Sequence, residues 1–239
     1  MNKKLALVVL SATALYSPHA HAENYLKLPG TFDSYMTLVS DYSFRGISQS
    51  GENPAIQGSL TWTHDSGAYL GFWASSVDFG DASTELDLYA GYSKEFVKHA
   101  TVDIGLLYYA YPGAEDSNNY NYWEAYGSLA YDFDVAKVKA AVNYSPDFAL
   151  DSGDATYISA TVEVPLPYNF GFSARIGRQY VQDNAAFALP DYTDWEIAIN
   201  YQVMKDLKLN LSYVDTDLDK TECPDGCDAK LIAGVSASF

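Results

Sequence analysis

The stretch "AKLIAGVSASF" (Ala229–Phe239) decides how the rest of this chain is read. Leu231, Ala233, Val235, Ala237 and Phe239 alternate with Ile232, Gly234, Ser236 and Ser238. Successive side chains of an extended strand point to opposite faces. One face of this strand is therefore wholly apolar, where a soluble domain usually leaves its last residues polar and loose. An apolar face of this kind has to be covered, and the rest of the sequence says by what.

Residues 1–22 read as a secretory signal. Lys3 and Lys4 precede the apolar run Leu5–Tyr16, and Ala20-His21-Ala22 fits a small-x-small cleavage site. The run is about half the length a bilayer-spanning helix needs. Residues 23–239 then form one domain. Without Lys3 and Lys4 that domain has 12 basic against 31 acidic residues. Such a balance excludes nucleic acid, whose phosphates need Lys and Arg, and docking on anionic lipid through a basic patch. No later segment has 18 apolar residues in a row. Yet 48% of the chain is hydrophobic and 21 residues are tyrosine. An export signal, no helical span and abundant tyrosine point to a membrane β-barrel, whose aromatic rings sit at both interfaces.

Period-two alternation recurs in twelve segments of about the length a barrel strand needs. They are 34–45, 55–64, 68–78, 85–94, 100–111, 121–132, 135–145, 155–164, 169–180, 193–203, 207–216 and 230–239. The odd-numbered connections between them hold 9, 6, 9, 9, 12 and 13 residues and the even-numbered ones 3, 5, 2, 4 and 3. Sorting of this kind is expected of an outer-membrane barrel, with short periplasmic turns and long outside loops. The fold class expected is therefore all-β: a transmembrane, antiparallel, up-and-down barrel of about 12 strands with both termini on the periplasmic side. The long loops carry 14 acidic residues and one basic residue, Lys220. They read as a hydrated acidic surface, with divalent cations bridging lipopolysaccharide as the alternative.

Alternation also assigns faces. Leu207, Leu209, Leu211 and Tyr213 oppose Lys208, Asn210 and Ser212; Trp195, Ile197, Ile199 and Tyr201 oppose Glu196, Asn200 and Gln202. A one-residue slip would turn charges toward lipid, at about 2–4 kcal/mol for each basic residue near the midplane. The segment "AYLGFWASSVD" is ambiguous, with bulky residues on both faces. Tyr42, Phe44, Tyr108, Trp123, Tyr144 and Trp195 are expected in an outer aromatic belt. Trp62, Tyr92, Tyr131, Phe170, Phe172, Tyr201 and Phe239 are expected in a periplasmic one.

The lumen then takes the charges Glu85, Asp87, Asp103, Glu124, Glu163 and Glu196, with Lys137, Lys139, Arg175 and Lys208. The signs lean acidic, so a conducting pore would weakly prefer cations. Asp41 and Arg45 fall on the polar face of the first segment. Two readings of them are open: a constriction, or an internal ion pair that fills space and fixes register. Twelve strands lie between the side-chain-filled eight and the water-filled sixteen, and loop 181–192 is long enough to fold inward. Cys223 and Cys227, in "CPDGC", read as a disulfide because export favours oxidation, and a zinc site would want two more ligands. No cofactor is indicated. A lipid-modifying enzyme is the weakest class, because His64 and His99 both fall beside predicted periplasmic turns.

Two stretches carry a family resemblance: "LVSDYSFRGISQSGENPAIQGSL" (Leu38–Leu60) and "SGAYLGFWASSVDF" (Ser66–Phe79). Their S-D-Y-x-F-R-G-x-S-Q-S, N-P-A-x-Q-G and S-G-x-Y-x-G-x-W-x-S runs resemble the N-terminal signature of the TorF family of proteobacterial porins. The resemblance implies a barrel in the outer membrane of a Gram-negative bacterium with channel function. A terminal Phe after an alternating strand also resembles the signal read by the barrel-assembly machinery, which would make that machinery a partner alongside outer-membrane lipid and lipopolysaccharide. The expected function is passive diffusion of small hydrophilic solutes or ions. The alternative is a non-conducting structural or binding barrel acting through its acidic loops.

Overall fold

The computed structural model describes residues 29–239, so the expected signal segment lies outside the described residues. The chain runs through β1 (Thr31–Val39), then a small hairpin, β2 (Ser43–Phe44) and β3 (Ile47–Ser48). It continues with β4 (Ala55–Thr63), β5 (Ala68–Phe79), β6 (Ala82–Val97), β7 (Ala100–Ala110), β8 (Tyr122–Asp132) and β9 (Lys137–Ser145). The last strands are β10 (Ala155–Pro165), β11 (Phe170–Val181), β12 (Tyr192–Met204), β13 (Leu207–Thr216) and β14 (Lys230–Ser238). All except β2 and β3 form one closed antiparallel barrel in which each strand pairs with the next and β14 returns to β1.

Closure follows from the alternation. At the seam Leu38 stands opposite Val235 and Met36 opposite Ala237 on the outer face. Thr37 stands opposite Ser236 on the inner face, their hydroxyls 2.8 Å apart. The Phe239 N–H donates to the Ser34 carbonyl. Among the described residues the barrel leaves no edge unpaired, which is the condition a sheet must meet inside a bilayer. Around the outside Leu209, Leu211, Ile197, Ile199, Ile104 and Leu106 are exposed, while the alternate residues turn in. An apolar band this wide is stable only against lipid. The ambiguous segment resolves too: Leu70 and Phe72 are exposed, and Tyr69 turns inward and reaches over Gly91 of β6 to Asp103 on β7.

Connections 64–67, 98–99, 133–136, 166–169 and 205–206 are short and lie at one end. Connections 40–54, 111–121, 146–154, 182–191 and 217–229 are long and lie at the other. The expected long loop 79–84 is not one. A bulge between Ser76 and Phe79 lets β5 and β6 stay paired as far as Phe79 opposite Ala82, so the connection is the turn 80–81. A larger departure is the first segment, expected over 34–45. The wall strand stops at Val39, and residues 40–54 fold into the barrel instead of standing outside it. Tyr42 and Phe44 are therefore lumen residues, not belt residues. Trp123, Tyr144, Tyr92, Tyr131, Phe170 and Tyr201 do lie exposed on the outer face.

Candidate functional site

Loop 40–54 turns inward on a two-residue hairpin. Arg45 and Gly46 have φ of 50° and 88°, as the primed turns that join twisted strands require. A Cβ on Gly46 would lie 2.4 Å from Thr216 Cγ2 and 2.9 Å from Asp194 Cβ, so only glycine passes this close to the wall. The left-handed backbone at Arg45, a non-glycine, is unfavourable by itself and persists because its surroundings hold it. Asp41 accepts from the Ser48 and Ser50 hydroxyls at 2.6 and 2.8 Å, and the Tyr42 N–H donates to Ser50 Oγ. These short-range bonds replace the ladder that a longer β1 would have made, which is why Asp41 and Arg45 leave the wall.

From the tip, Arg45 reaches the far side of the barrel. Its Nη2 donates to both carboxylate oxygens of Glu124 on β8 at 2.8 Å, and its Nη1 donates to Gln179 Oε1 on β11 at 2.8 Å. The guanidinium also lies 4.3 Å from the Tyr157 ring centroid and 4.6 Å from that of Phe44. Arg45 is 8% exposed and Glu124 2%. At that depth an unpaired charge is very costly. Glu124 is further satisfied by the Asn143 amide at 3.0 Å and the Tyr109 hydroxyl at 3.2 Å. The partner of Arg45 is thus Glu124, not Asp41. Asp41 instead lies 3.3 Å from Lys230 Nζ.

Two further clamps hold the loop. The Tyr42 hydroxyl donates to Glu85 Oε1 at 2.8 Å, and its ring packs on Trp73. On the opposite flank, Cys223 and Cys227 are joined by a disulfide in loop 217–229. The Gly226 carbonyl, inside that ring, accepts the Ser48 N–H at 2.8 Å and Lys230 Nζ at 2.9 Å. Lys230 also donates to Glu52 at 3.1 Å. The deep-reaching loop is therefore 40–54 and not 181–192. The latter covers the mouth from above through Phe187, which packs on Phe148.

The other charged positions all face the lumen but do not converge on one centre. Asp87 follows Glu85 on β6, buried beside it. Asp103 accepts from Tyr69. Arg175 pairs with the fully buried Asp194 and lies 3.6 Å from Glu196. Toward the short-turn end Lys137 stands opposite both Glu163 and Asp132, Lys139 opposite Thr161, and Lys208 opposite Gln202. Loop 40–54 fills the side of the lumen walled by β5–β11. On the other side a cavity of 220 Å³ runs beside the loop, lined by Gln57, Glu196, Asn210 and Ser212 together with Asp41. A second cavity, of 510 Å³, opens at the short-turn end between Lys137, Glu163, Asn200, Gln202 and Lys208. Glu196 of the first cavity and Asn200 of the second lie on the same face of β12, about 13 Å apart along the strand.

Alternation alone gave no reason to single out Asp194 and Gln179, or the lumen tyrosines Tyr109, Tyr122, Tyr157 and Tyr192. Tyr109 and Tyr122 belong to the apolar filling that the docked loop packs on, the Tyr157 ring lies against the Arg45 guanidinium, and Tyr192 lines the same cavity as Phe44. A signal for part of this does exist. Gly177 is an inward glycine where a Cβ would sit 2.0 Å from Tyr157 Oη, so it marks where a large ring lies flat on the wall.

A family model described as "Bacterial protein of unknown function (Gcw_chp)" matches residues 25–239. None of the curated proteins matches the chain. Among solved structures the chain is similar to a KdgM porin at 10% identity, with a TM-score of 0.62 over 87% of this chain and 99% of that one. A KdgM porin in complex with disordered oligogalacturonate is similar at 9% identity and a TM-score of 0.61, with the same coverage. A NanC porin is similar at 14% identity and a TM-score of 0.58, again over 87% of this chain and 99% of that one.

Proposed function

The chain belongs to the bacterial family Gcw_chp, whose function is unknown, and we propose that it is a porin-like channel in the outer membrane of a Gram-negative bacterium. In this reading small hydrophilic solutes or ions cross passively through the polar cleft left beside loop 40–54, with a weak preference for cations. The observation that carries it is the divided lumen. One side is filled by the clamped loop, and the other is lined by polar side chains from Gln57 to Lys208. The two cavities are lined by Asp41, Asp132, Asp134, Glu163 and Glu196 against Lys137 and Lys208; Lys230 and Arg175 offset Asp41 and Glu196, and the small acidic surplus that is left favours cations. Oligogalacturonate, held by one KdgM porin structure, is a polyanion. This acidic lining does not suit it, and we do not assign it as the solute.

The resemblance of Leu38–Leu60 and Ser66–Phe79 to TorF-family porins supports the same reading. The long loops would then face outward to lipopolysaccharide, and Phe239 would be read by the barrel-assembly machinery. We assign no catalysis: His64 and His99 sit at the short turns 64–67 and 98–99, away from the loop cluster. The test is a planar-bilayer recording on purified, heat-modifiable protein. Discrete conductance steps are expected, small for a barrel of this strand number because the loop narrows it. Silence from demonstrably folded protein would overturn the channel and leave a non-conducting binding barrel.

A further inference from the structure

The long-loop mouth holds a cavity of 240 Å³ that the channel does not use. Its walls are Phe79, Tyr111, Tyr120, Tyr122, Phe148 and Phe187, and Phe44 of the docked loop belongs to its lining. We propose that this aromatic cup is a binding site for a small organic cation of the quaternary-ammonium class.

Three observations carry the assignment. The first is the geometry of the rings. Phe79, Tyr111 and Tyr120 stand nearly perpendicular to one another, at 74°, 78° and 76°, with centroids 5.3–5.9 Å apart. Tyr122 and Phe148 meet edge to face across 4.6 Å. Rings set as the walls of a box present π faces in several directions at once, which is how aromatic cages hold alkylated ammonium groups. The second is charge. Asp81, Glu115, Asp116, Asp151, Asp154 and Asp183 are exposed in the loops that carry these rings. The connections 80–81, 111–121, 146–154 and 182–191 contain no Lys or Arg. The field at the mouth therefore draws cations and repels anions. The third is an internal precedent. Arg45 already lies between the faces of Phe44 and Tyr157, so rings at this depth stabilise a cation of the chain itself.

Chemistry and size narrow the ligand. A metal ion needs several oxygen ligands, and the described residues contain no group of three or more His, Cys, Asp or Glu able to hold one. The cup offers rings, so its cation must carry its own apolar skin. An apolar cavity of about 150 Å³ accepts one six-membered ring. The larger cup accommodates a trimethylammonium head with a short tail. Because Phe44, Ile47 and Gln49 of the docked loop line the cup, an occupant would also press on that loop.

The assignment does not depend on conduction and is tested by binding alone. The full-length barrel is placed in nanodiscs of phosphatidylglycerol, which contain no choline. It is titrated calorimetrically with choline and with 3,3-dimethylbutan-1-ol, the neutral isostere of choline. Saturable one-to-one binding of choline is expected, about tenfold or more tighter than the alcohol. Tyr120→Leu and Phe187→Leu, both outside the barrel wall, should each weaken choline by a similar factor while the gel shift of the folded barrel is kept. Equal binding of choline and the alcohol would overturn the proposal. So would the absence of saturable choline binding, or choline binding unaffected by either substitution.

Discussion

Arg45 holds the lumen together through one guanidinium. It closes two hydrogen bonds to Glu124 and one to Gln179 while lying on two rings. Because both charges are buried, removing one leaves the other stranded, and breaking such a pair costs about 3–5 kcal/mol. Arg45→Ala should therefore release the tip of loop 40–54 and raise single-channel conductance several-fold. Glu124→Gln keeps the shape and a hydrogen-bond acceptor, so it should do the same more weakly. If Arg45→Ala left conductance and its noise unchanged, the loop would not be the constriction. Gly177 makes a second residue-scale case. A Cβ there would meet the Tyr157 hydroxyl at 2.0 Å, so Gly177→Val should push that ring off the wall and lower the temperature at which the gel shift is lost. A melting profile equal to that of the native chain would show that the ring moves aside freely. The inward direction of Glu85, Glu124, Arg175 and the rest was legible, since alternation and the cost of a charge in lipid both fix it. Which charges meet was not legible. The partner of Arg45 lies 79 residues away, and only closure of the barrel brings them together.

The strands themselves were nearly all legible, because a period-two pattern under a lipid constraint tolerates no slip. The element that escaped was the hairpin β2–β3. "SFRGIS" alternates like the strand before it, so the pattern ran on across the point where the chain leaves the wall. The positive φ at Arg45 and Gly46 was the only local sign of a turn, and Gly46 alone carried it in the sequence. Two loops fasten this hairpin and its surroundings. The Cys223–Cys227 ring presents the Gly226 carbonyl to Ser48 and Lys230. Reduction, or Cys223→Ser with Cys227→Ser, should loosen loop 40–54 and increase current noise without dissolving the barrel. Loss of the gel shift on reduction would instead mean that the ring holds the barrel itself. Across the mouth, Asp81 accepts the Glu115 N–H and the Asn118 amide, both at 2.7 Å. Those donors, chiefly the Glu115 N–H, hold its carboxyl below the ordinary range. A depressed pKa gives stability that is present above the unfolded value, about 3.9, and is lost as pH falls through the lower folded value. Loop 111–121 should thus stay anchored down to about pH 4. The Glu115 amide-proton shift should titrate with a midpoint below that value, and one at or above it would contradict the contact.

For the molecule as a whole, charge decides what kind of solute the cleft favours. The chain has 31 acidic against 14 basic residues, but most of that excess sits in exposed loops, where salt screens it. Several lumen charges cancel in pairs, as Arg45 does with Glu124 and Arg175 with Asp194, while the buried Glu85 and Asp87 have no cationic partner among the described residues. What remains for a permeating ion is the modest acidic surplus lining the two cavities, together with the field of the mouth. A field of this origin reaches about 10 Å at 0.1 M salt and about 3 Å at 1 M. Reversal potentials in potassium chloride gradients should therefore show cation preference near 0.1 M that fades toward neutrality near 1 M. Glu196→Gln combined with Glu163→Gln should reduce the low-salt preference and leave the high-salt value alone. Selectivity that persisted undiminished at 1 M would mean that ions are bound directly at a narrow ring of oxygens. Preference for chloride at low salt would mean that Lys137, Lys208 and Arg175 dominate the path, and would remove the electrostatic basis of the proposed solute class.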